Sequence, residues 1–329
     1  MSCLTAHVPK ALMPVVDVCL IDRLIAVLHA SDVQHVVIGV GWKGQMIEEH
    51  IRESYPDSEV RVVHVHDWNS GPLTTLVRAL EAAPVEQFLS CPADCVVEPE
   101  LVIGTLQAHG SAQDCRIATL AVHPSMNGGT RVYSRAPNEI ASIDGQPDSC
   151  HDVGRSAMIL VAHPSFVEHC REALSVGCSR VTDALNMALA KGARIGYHTF
   201  ECPLFDIDDF SDLLAANRHL IMRGCRSVNR GLCVPSGTHV DAGGVGAEEY
   251  DIHLASGASI IGPSYVGPGS KMGHGAVVGP LAILGPSSSV GERTIVRDTV
   301  AFGGAVFLSD KIYESTVVYG DQTCGRDEH

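Results

Sequence analysis

Two periodicities divide this chain. Up to about residue 223, short apolar runs rich in Val and Ile alternate with stretches whose apolar positions recur three and four residues apart. Residues 33–40 (VQHVVIGV), 60–65, 87–90, 117–122, 157–161 and 195–198 have the strand signature. Residues 20–29, 44–53, 73–82, 164–173, 181–191 and 210–222 have the helix signature. In the first of these, apolar side chains fall at 20, 21, 24, 25, 27 and 28. Strands alternating with helices predict a three-layer, Rossmann-like α/β domain with a mostly parallel sheet.

The second period is six. Aliphatic residues fall at Leu254, Ile260, Val266, Met272, Val278, Leu284, Val290 and Val296. Four residues after each stands a small or β-branched residue: Ala258, Ser264, Ser270, Ala276, Ala282, Ser288, Thr294 and Val300. Gly follows the aliphatic residue at 267, 273, 279, 285 and 291. Such a period is a solenoid signature, in which three hexads close one triangular coil. The repeat predicts a parallel β-helix that continues at Phe302 and Leu308, with an imperfect start at Val234 and Val240. Residues 243–253 break the register and read as a loop. The predicted division is an α/β domain over 1–223, a linker over 224–233, the β-helix over 234–323 and a tail over 324–329.

Charge and composition narrow the partners. Hydrophobic content of 45% and charged content of 19% fit a folded globular chain. A net charge of −15 repels phosphate backbones, so no nucleic acid is expected as partner. A small nucleotide can still bind where local amides or a cation neutralise its phosphates. The twelve cysteines form no CxxC pair, which reads as free thiols in a reducing compartment. The N-terminal apolar stretch is broken by Asp17, Asp22 and Arg23, and no long apolar run occurs. The expectation is a cytoplasmic protein without a membrane partner.

Three segments carry a family resemblance. Residues 4–21 (LTAHVPKALMPVVDVCLI) hold Leu4-Thr5 and then Pro9-Lys10-Ala11-Leu12-Met13-Pro14-Val15. Residues 36–51 read VVIGVGWKGQMIEEHI, and residues 205–220 read FDIDDFSDLLAANRHL. In this order they resemble the sugar-1-phosphate nucleotidyltransferase (nucleoside-diphosphate-sugar pyrophosphorylase) family. Its members run GGxGTRLxPLT, PKALLPV, a GYKGE-like turn and a closing W-x-DIGTPEDLLEAN helix. A left-handed hexapeptide β-helix is a frequent C-terminal appendage. The resemblance implies transfer of a nucleotidyl group from an NTP to a sugar-1-phosphate, giving an NDP-sugar and pyrophosphate. The phosphate oxygen attacks the α-phosphorus directly, with Mg²⁺ and basic side chains neutralising the developing charge.

The resemblance also assigns residues. Lys10 becomes the catalytic, nucleotide-binding lysine, and Gly71 in NSGPLTTL the turn beside the base. Asp94, in LSCPADCVVEPE, becomes a catalytic and nucleotide-binding carboxylate that holds Mg²⁺ together with Asp206. Gln146, in IDGQP, stands at the sugar-phosphate position. The structural alternatives are a turn or cap role for Asp94 and a helix-cap role for Asp206, with Asp208 or Asp209 able to take that cap instead.

Two departures stand. The first strand and the GGxGTR loop should precede Leu4, where only Met1-Ser2-Cys3 stand, so the expectation is an upstream start or a degenerate protein. Gly145-Gln146 also replace the Glu-Lys of the family's EKP motif, and glutamine cannot supply that lysine's charge. Arg131 or Arg135 is the nearest substitute. A catalytically degenerate regulatory or scaffolding paralogue is therefore the alternative function. A hexapeptide acyltransferase with His274 as general base is a third. A homo-oligomer through the β-helix is expected, with Phe302, Phe307, Ile312, Tyr313, Val317, Val318 and Tyr319 as its surface.

Overall fold

The computed structural model describes residues 5–82, 87–110, 115–126, 128–145, 148–224, 231–242 and 248–324. Contacts group the chain into two compact units, Leu24–Leu204 and Met1–Arg23 together with Phe205–His329. The first segment carries strands β1 (Pro14–Val15) and β2 (Val18–Cys19) and opens helix α1 (Leu20–Ala30). The Leu24–Leu204 unit then holds β3 (Val36–Val40), α2 (Gly44–Ser54), β4 (Val60–His64), α3 (Pro72–Ala82), β5 (Phe88–Ser90), β6 (Cys95–Val96) and α4 (Pro99–Gly110). It continues with β7 (Arg116–His123), β8 (Arg131–Ala136), β9 (Glu139–Ile143), β10 (His151–Ala162), α5 (Ser165–Ser175), α6 (Val181–Ala190) and β11 (Arg194–Thr199). Strand β12 (Phe205–Asp206) and helix α7 (Phe210–Met222) belong with the first segment.

In the Leu24–Leu204 unit β3 and β4 pair in parallel, as do β7 and β11. Six strands form one sheet in the order β5-β10-β7-β11-β9-β8. Strand β10 is antiparallel to both β5 and β7, so β5, β7 and β11 point the same way. Side chains alternate between faces along β7. Ala118, Leu120 and Val122 join a core with Leu73 and Val77 of α3, Phe166 and Cys170 of α5, and Ala184, Leu185 and Ala188 of α6. The opposite face meets α4, where His109 Nδ1 lies 3.0 Å from Thr119 Oγ1. Each large apolar side chain buried this way contributes about 1.5–3 kcal/mol.

Among the elements outside the predicted set are helix α4 and strands β8 and β9. Helix α4 has Gly104 in its middle, which weakens the helical signal. A Cβ at Gly104 would come within 2.4 Å of His198 Nε2, so close packing on β11 excludes a larger residue. Strands β8 and β9 form a hairpin whose turn contains Asn138 at φ 59.

The other unit carries the β-helix. Three ladders of inward residues run through it: Leu254, Met272, Val290 and Phe307; Ile260, Val278, Val296 and Tyr313; Val266, Leu284, Ala301 and Val318. The small residues sit buried at the corners, where hydroxyls satisfy turn carbonyls. Ser270 Oγ donates to Gly267 O at 2.7 Å and Ser288 Oγ to Gly285 O at 2.6 Å. Coils stack so closely that a Cβ at Gly285 would lie 2.4 Å from Gly303 N.

The end of the hexad pattern differs from expectation. The inward positions are Ala301 and Phe307 rather than Phe302 and Leu308. The corner after Val296 is one residue shorter than the corner after Val278, and the register slips with it. Phe302 is still buried, but Leu308 is 60% exposed. The start differs too. Val234 and Val240 belong to β13 (Leu232–Val234) and β14 (His239–Asp241), which pair antiparallel with Ser264–Val266 and Ser259–Ile261 and cover that end rather than extend the coil. At the far end Gln322–Cys324 folds back antiparallel on Val317–Tyr319. Of the expected loop, residues 243–247 lie outside the described residues, while His253–Leu254 is already a strand. Of the expected oligomer surface, Phe302, Phe307, Val317 and Val318 are buried within the chain, because the prism core and its covering hairpin consume them. Ile312 is exposed.

Candidate functional site

Lys10 sits on a short, heavily pinned segment. Pro9 fixes an extended backbone ahead of it, and Lys10–Leu12 turns as a 3₁₀ helix. Leu12 N donates to Pro9 O and Met13 N to Lys10 O, each at 2.9 Å. Ala11, Met13 and Val15 are buried, which anchors alternate residues of PKALMPV. Leu20 N donates to Met13 O at 3.0 Å and Arg23 Nε to Val15 O at 3.0 Å. The β1–β2 turn places Val16 at φ 60, and its N–H donates to the buried Asn217 Oδ1 at 2.6 Å. The Lys10 ammonium lies 2.7 Å from Asp208 Oδ1.

Asp208 is presented by the start of α7. Asp209 is the N-cap, its Oδ1 accepting from Asp212 N at 3.0 Å, while Asp212 Oδ2 accepts from Asp208 N and Asp209 N at 3.0 and 2.9 Å. This reciprocal cap satisfies the helix's first donors. Asp206, exposed at the end of β12, does not serve as that cap.

The other predicted residues lie in the Leu24–Leu204 unit. Gly71 has φ 114, and a Cβ there would come within 2.7 Å of Ser179 O. Leu73 N donates to that same carbonyl at 3.0 Å, so a close approach to α6 already requires the glycine. Asp94 is half-buried in a turn between β5 and β6, not at a helix N-cap. Gln146 lies outside the described residues. The turn before it is held by α6: Asn186 bonds both N–H and C=O of Ile143, at 3.0 and 2.8 Å. Arg180 reaches Asp144 Oδ2 at 3.2 Å and Asp183 Oδ1 at 2.9 Å. The Gly71 turn and the IDG turn thus both rest on the N-terminal end of α6, beside an arginine that motif reading passed over. Arg131 lies 3.8 Å from Asp152.

Residues 5–191 match the MobA-like NTP transferase domain. The chain belongs to the MobA-like NTP transferase family. The fold resembles that of the inositol-1-phosphate CTP transferase from T. maritima, at 16% identity and a TM-score of 0.55, over 69% of this chain and 93% of that one. The nucleotidyltransferase resemblance of the sequence therefore stands, with an α/β domain followed by a β-helix.

No disulfide joins the described cysteines. Burial pushes the Cys91 and Cys170 thiols up to about 12, so neither is a nucleophile at neutral pH. Direct displacement at phosphorus needs no protein nucleophile, only positioned charge. His274 is exposed at a coil corner. Among the described residues no helix is long and apolar enough to cross a membrane.

Proposed function

We propose that this chain transfers a nucleotidyl group from an NTP to a sugar-1-phosphate or a similar phosphorylated polyol, releasing pyrophosphate. The family match over residues 5–191 carries the reading. The rigid Lys10 segment supports it, because positioning is the main catalytic resource in phosphoryl chemistry. In this reading Lys10 meets the nucleotide phosphates, the Gly71 turn lies beside the base, and residues around Gln146 meet the sugar phosphate. The catalytic domain spans 1–223, a linker 224–233, and the β-helix 234–323.

Asp94 and Asp206 are the proposed Mg²⁺ ligands. Both are hard oxygen donors suited to that ion. The helix-cap alternative is weakened for both, since Asp209 takes the α7 cap and Asp94 caps no helix, while the turn alternative for Asp94 stands. Mg²⁺ would supply charge neutralisation on the phosphates. The protein is proposed to work in the cytoplasm. Assembly through the β-helix, if it occurs, would use the exposed Val306, Leu308 and Ile312.

Pyrophosphate release tests the activity over several NTPs, CTP included, and over a panel of sugar-1-phosphates and inositol-1-phosphate. Turnover with Mg²⁺ and at least one pair is expected, and Asp94→Asn should abolish it while circular dichroism stays unchanged. Full activity in Asp94→Asn would remove that residue from the site. Gly145-Gln146 in place of Glu-Lys favours a second reading, a regulatory paralogue. NTP binding without pyrophosphate release from any pair would establish it.

A further inference from the structure

The lysine proposed to meet phosphate already has an anion on it. Lys10 Nζ lies 2.7 Å from Asp208 Oδ1, across 198 positions of sequence. The backbone that carries this carboxylate is held in place, since Asp208 N donates to Asp212 Oδ2 at 3.0 Å and Asp212 completes the α7 cap with Asp209. The Lys10 backbone is held as well, by its 3₁₀ turn and the buried Ala11 and Met13 that follow it. The family pattern DIGTPEDLLEAN, laid on DIDDFSDLLAAN, has glycine where this chain has Asp208.

We infer that Asp208 is a resident counter-ion of Lys10 that an incoming polyphosphate must displace, so that it sets the affinity and salt dependence of phosphate binding. The inference rests on the reading of Lys10 as a phosphate ligand. Its logic is competition: one ammonium cannot give its full attraction to the Asp208 carboxylate and to a phosphate oxygen at once. Whatever the pair gains in the free protein is lost when phosphate binds. The side chains are 30% and 72% exposed for Lys10 and Asp208, which places the pair among solvent-screened ones. Competition of that size corresponds to roughly a 1.5- to 5-fold weakening of phosphate affinity at low salt. It should shrink as ionic strength rises through about 0.15 M.

The test is a four-protein cycle of wild type, Asp208→Asn, Lys10→Met and the double variant. Each is titrated by calorimetry with inorganic tripolyphosphate, without divalent metal, at low and at physiological salt. Asparagine keeps the size of the side chain and leaves the Asp212 backbone bonds in place, and thermal melts verify that all four fold. The expected result has two parts. Lys10→Met binds several-fold more weakly than wild type. Asp208→Asn binds roughly 1.5- to 5-fold more tightly than wild type at low salt, and the gain disappears in the Lys10→Met background. If Lys10→Met weakens binding but Asp208→Asn brings no gain, or an equal gain in both backgrounds, the counter-ion role is overturned and the phosphate role of Lys10 survives. If Lys10→Met binds as well as wild type, the phosphate role falls and the counter-ion role falls with it.

Discussion

Asn217→Ala tests how the Lys10 segment is held. Asn217 is 1% exposed, with its Oδ1 accepting from Val16 N at 2.6 Å and its Nδ2 donating to Leu213 O at 2.7 Å. Val16 is β-branched, buried and left-handed at φ 60. Such a residue keeps that conformation only where its surroundings impose it, at a cost of about 1–3 kcal/mol. Here the imposing contacts are the Asn217 bond and the Arg23 bonds to the neighbouring Val15 carbonyl. Alanine would leave the Val16 N–H buried without its acceptor, which costs about 1–3 kcal/mol. The Leu213 carbonyl keeps its helical partner, so that loss is small. The small cavity adds about 1 kcal/mol, for a total of roughly 2–4 kcal/mol.

The assay must separate two compact units, because one two-state transition is not assured. Trp42 and Trp68 both belong to the Leu24–Leu204 unit, so tryptophan fluorescence reports on that unit, whereas far-UV circular dichroism reports on both. Urea denaturation followed by both probes should place the loss in the circular-dichroism component that fluorescence does not follow. The affinity for tripolyphosphate should also weaken, since the Lys10 turn loses a support. A loss below about 0.5 kcal/mol would refute the reasoning, being the size of an ordinary surface substitution.

Gly71→Ala should destabilise the Leu24–Leu204 unit by about 1–3 kcal/mol, read by fluorescence-detected urea denaturation, because a Cβ at φ 114 also meets Ser179 O. Stability should also fall with acid well before carboxylates titrate. Burial holds His198 below the ordinary imidazole value, and burial together with His163 and Arg116 does the same for His109. A lowered histidine pKa means that the unfolded chain takes up the proton first. The contribution is whole above about pH 6.5 and is lost as pH falls from there through the folded-state values. Urea midpoints should drop between about pH 7.5 and pH 5.5, and less steeply in His198→Gln.

Much of the fold was legible because local and tertiary signals agree. The helix predicted over 210–222 is Phe210–Met222, where apolar spacing coincides with an Asp209–Asp212 cap. Helix α4 was hidden by Gly104, whose reason is contact with His198, almost a hundred positions away in sequence. The register slip near residue 300 was hidden for a different reason. Val300, Ala301 and Phe302 are all apolar, so periods of five and six fit equally well, and only strand pairing decides. Lys10 was legible from the residues around it. Its pairing with Asp208 was not, since no local pattern links positions 198 apart. At Gly71 the need for glycine could be read from a turn motif, but its neighbour Ser179 could not.

The shortened corners themselves have a structural meaning. Val296 to Ala301 and Tyr313 to Val318 each span one residue fewer than Val278 to Leu284, and the two short corners stack. Asp298 and Ser315 occupy equivalent places in them, at φ 48 and φ 50, and Ser315 Oγ donates to the Asp298 carboxylate. The other partner of that carboxylate is Arg218 of α7, bound through both Nε and Nη2. Burial alone would raise the Asp298 carboxyl, yet the Arg218 and Ser315 bonds hold it below the usual carboxylate range. One residue earlier in α7 is Asn217, which grips Val16, and the start of the same helix presents Asp208 to Lys10. A single helix therefore touches the solenoid, the strained turn and Lys10, all within one compact unit. The short corner thus carries the carboxylate through which the β-helix holds α7, the helix that also carries Asn217 and follows Asp208.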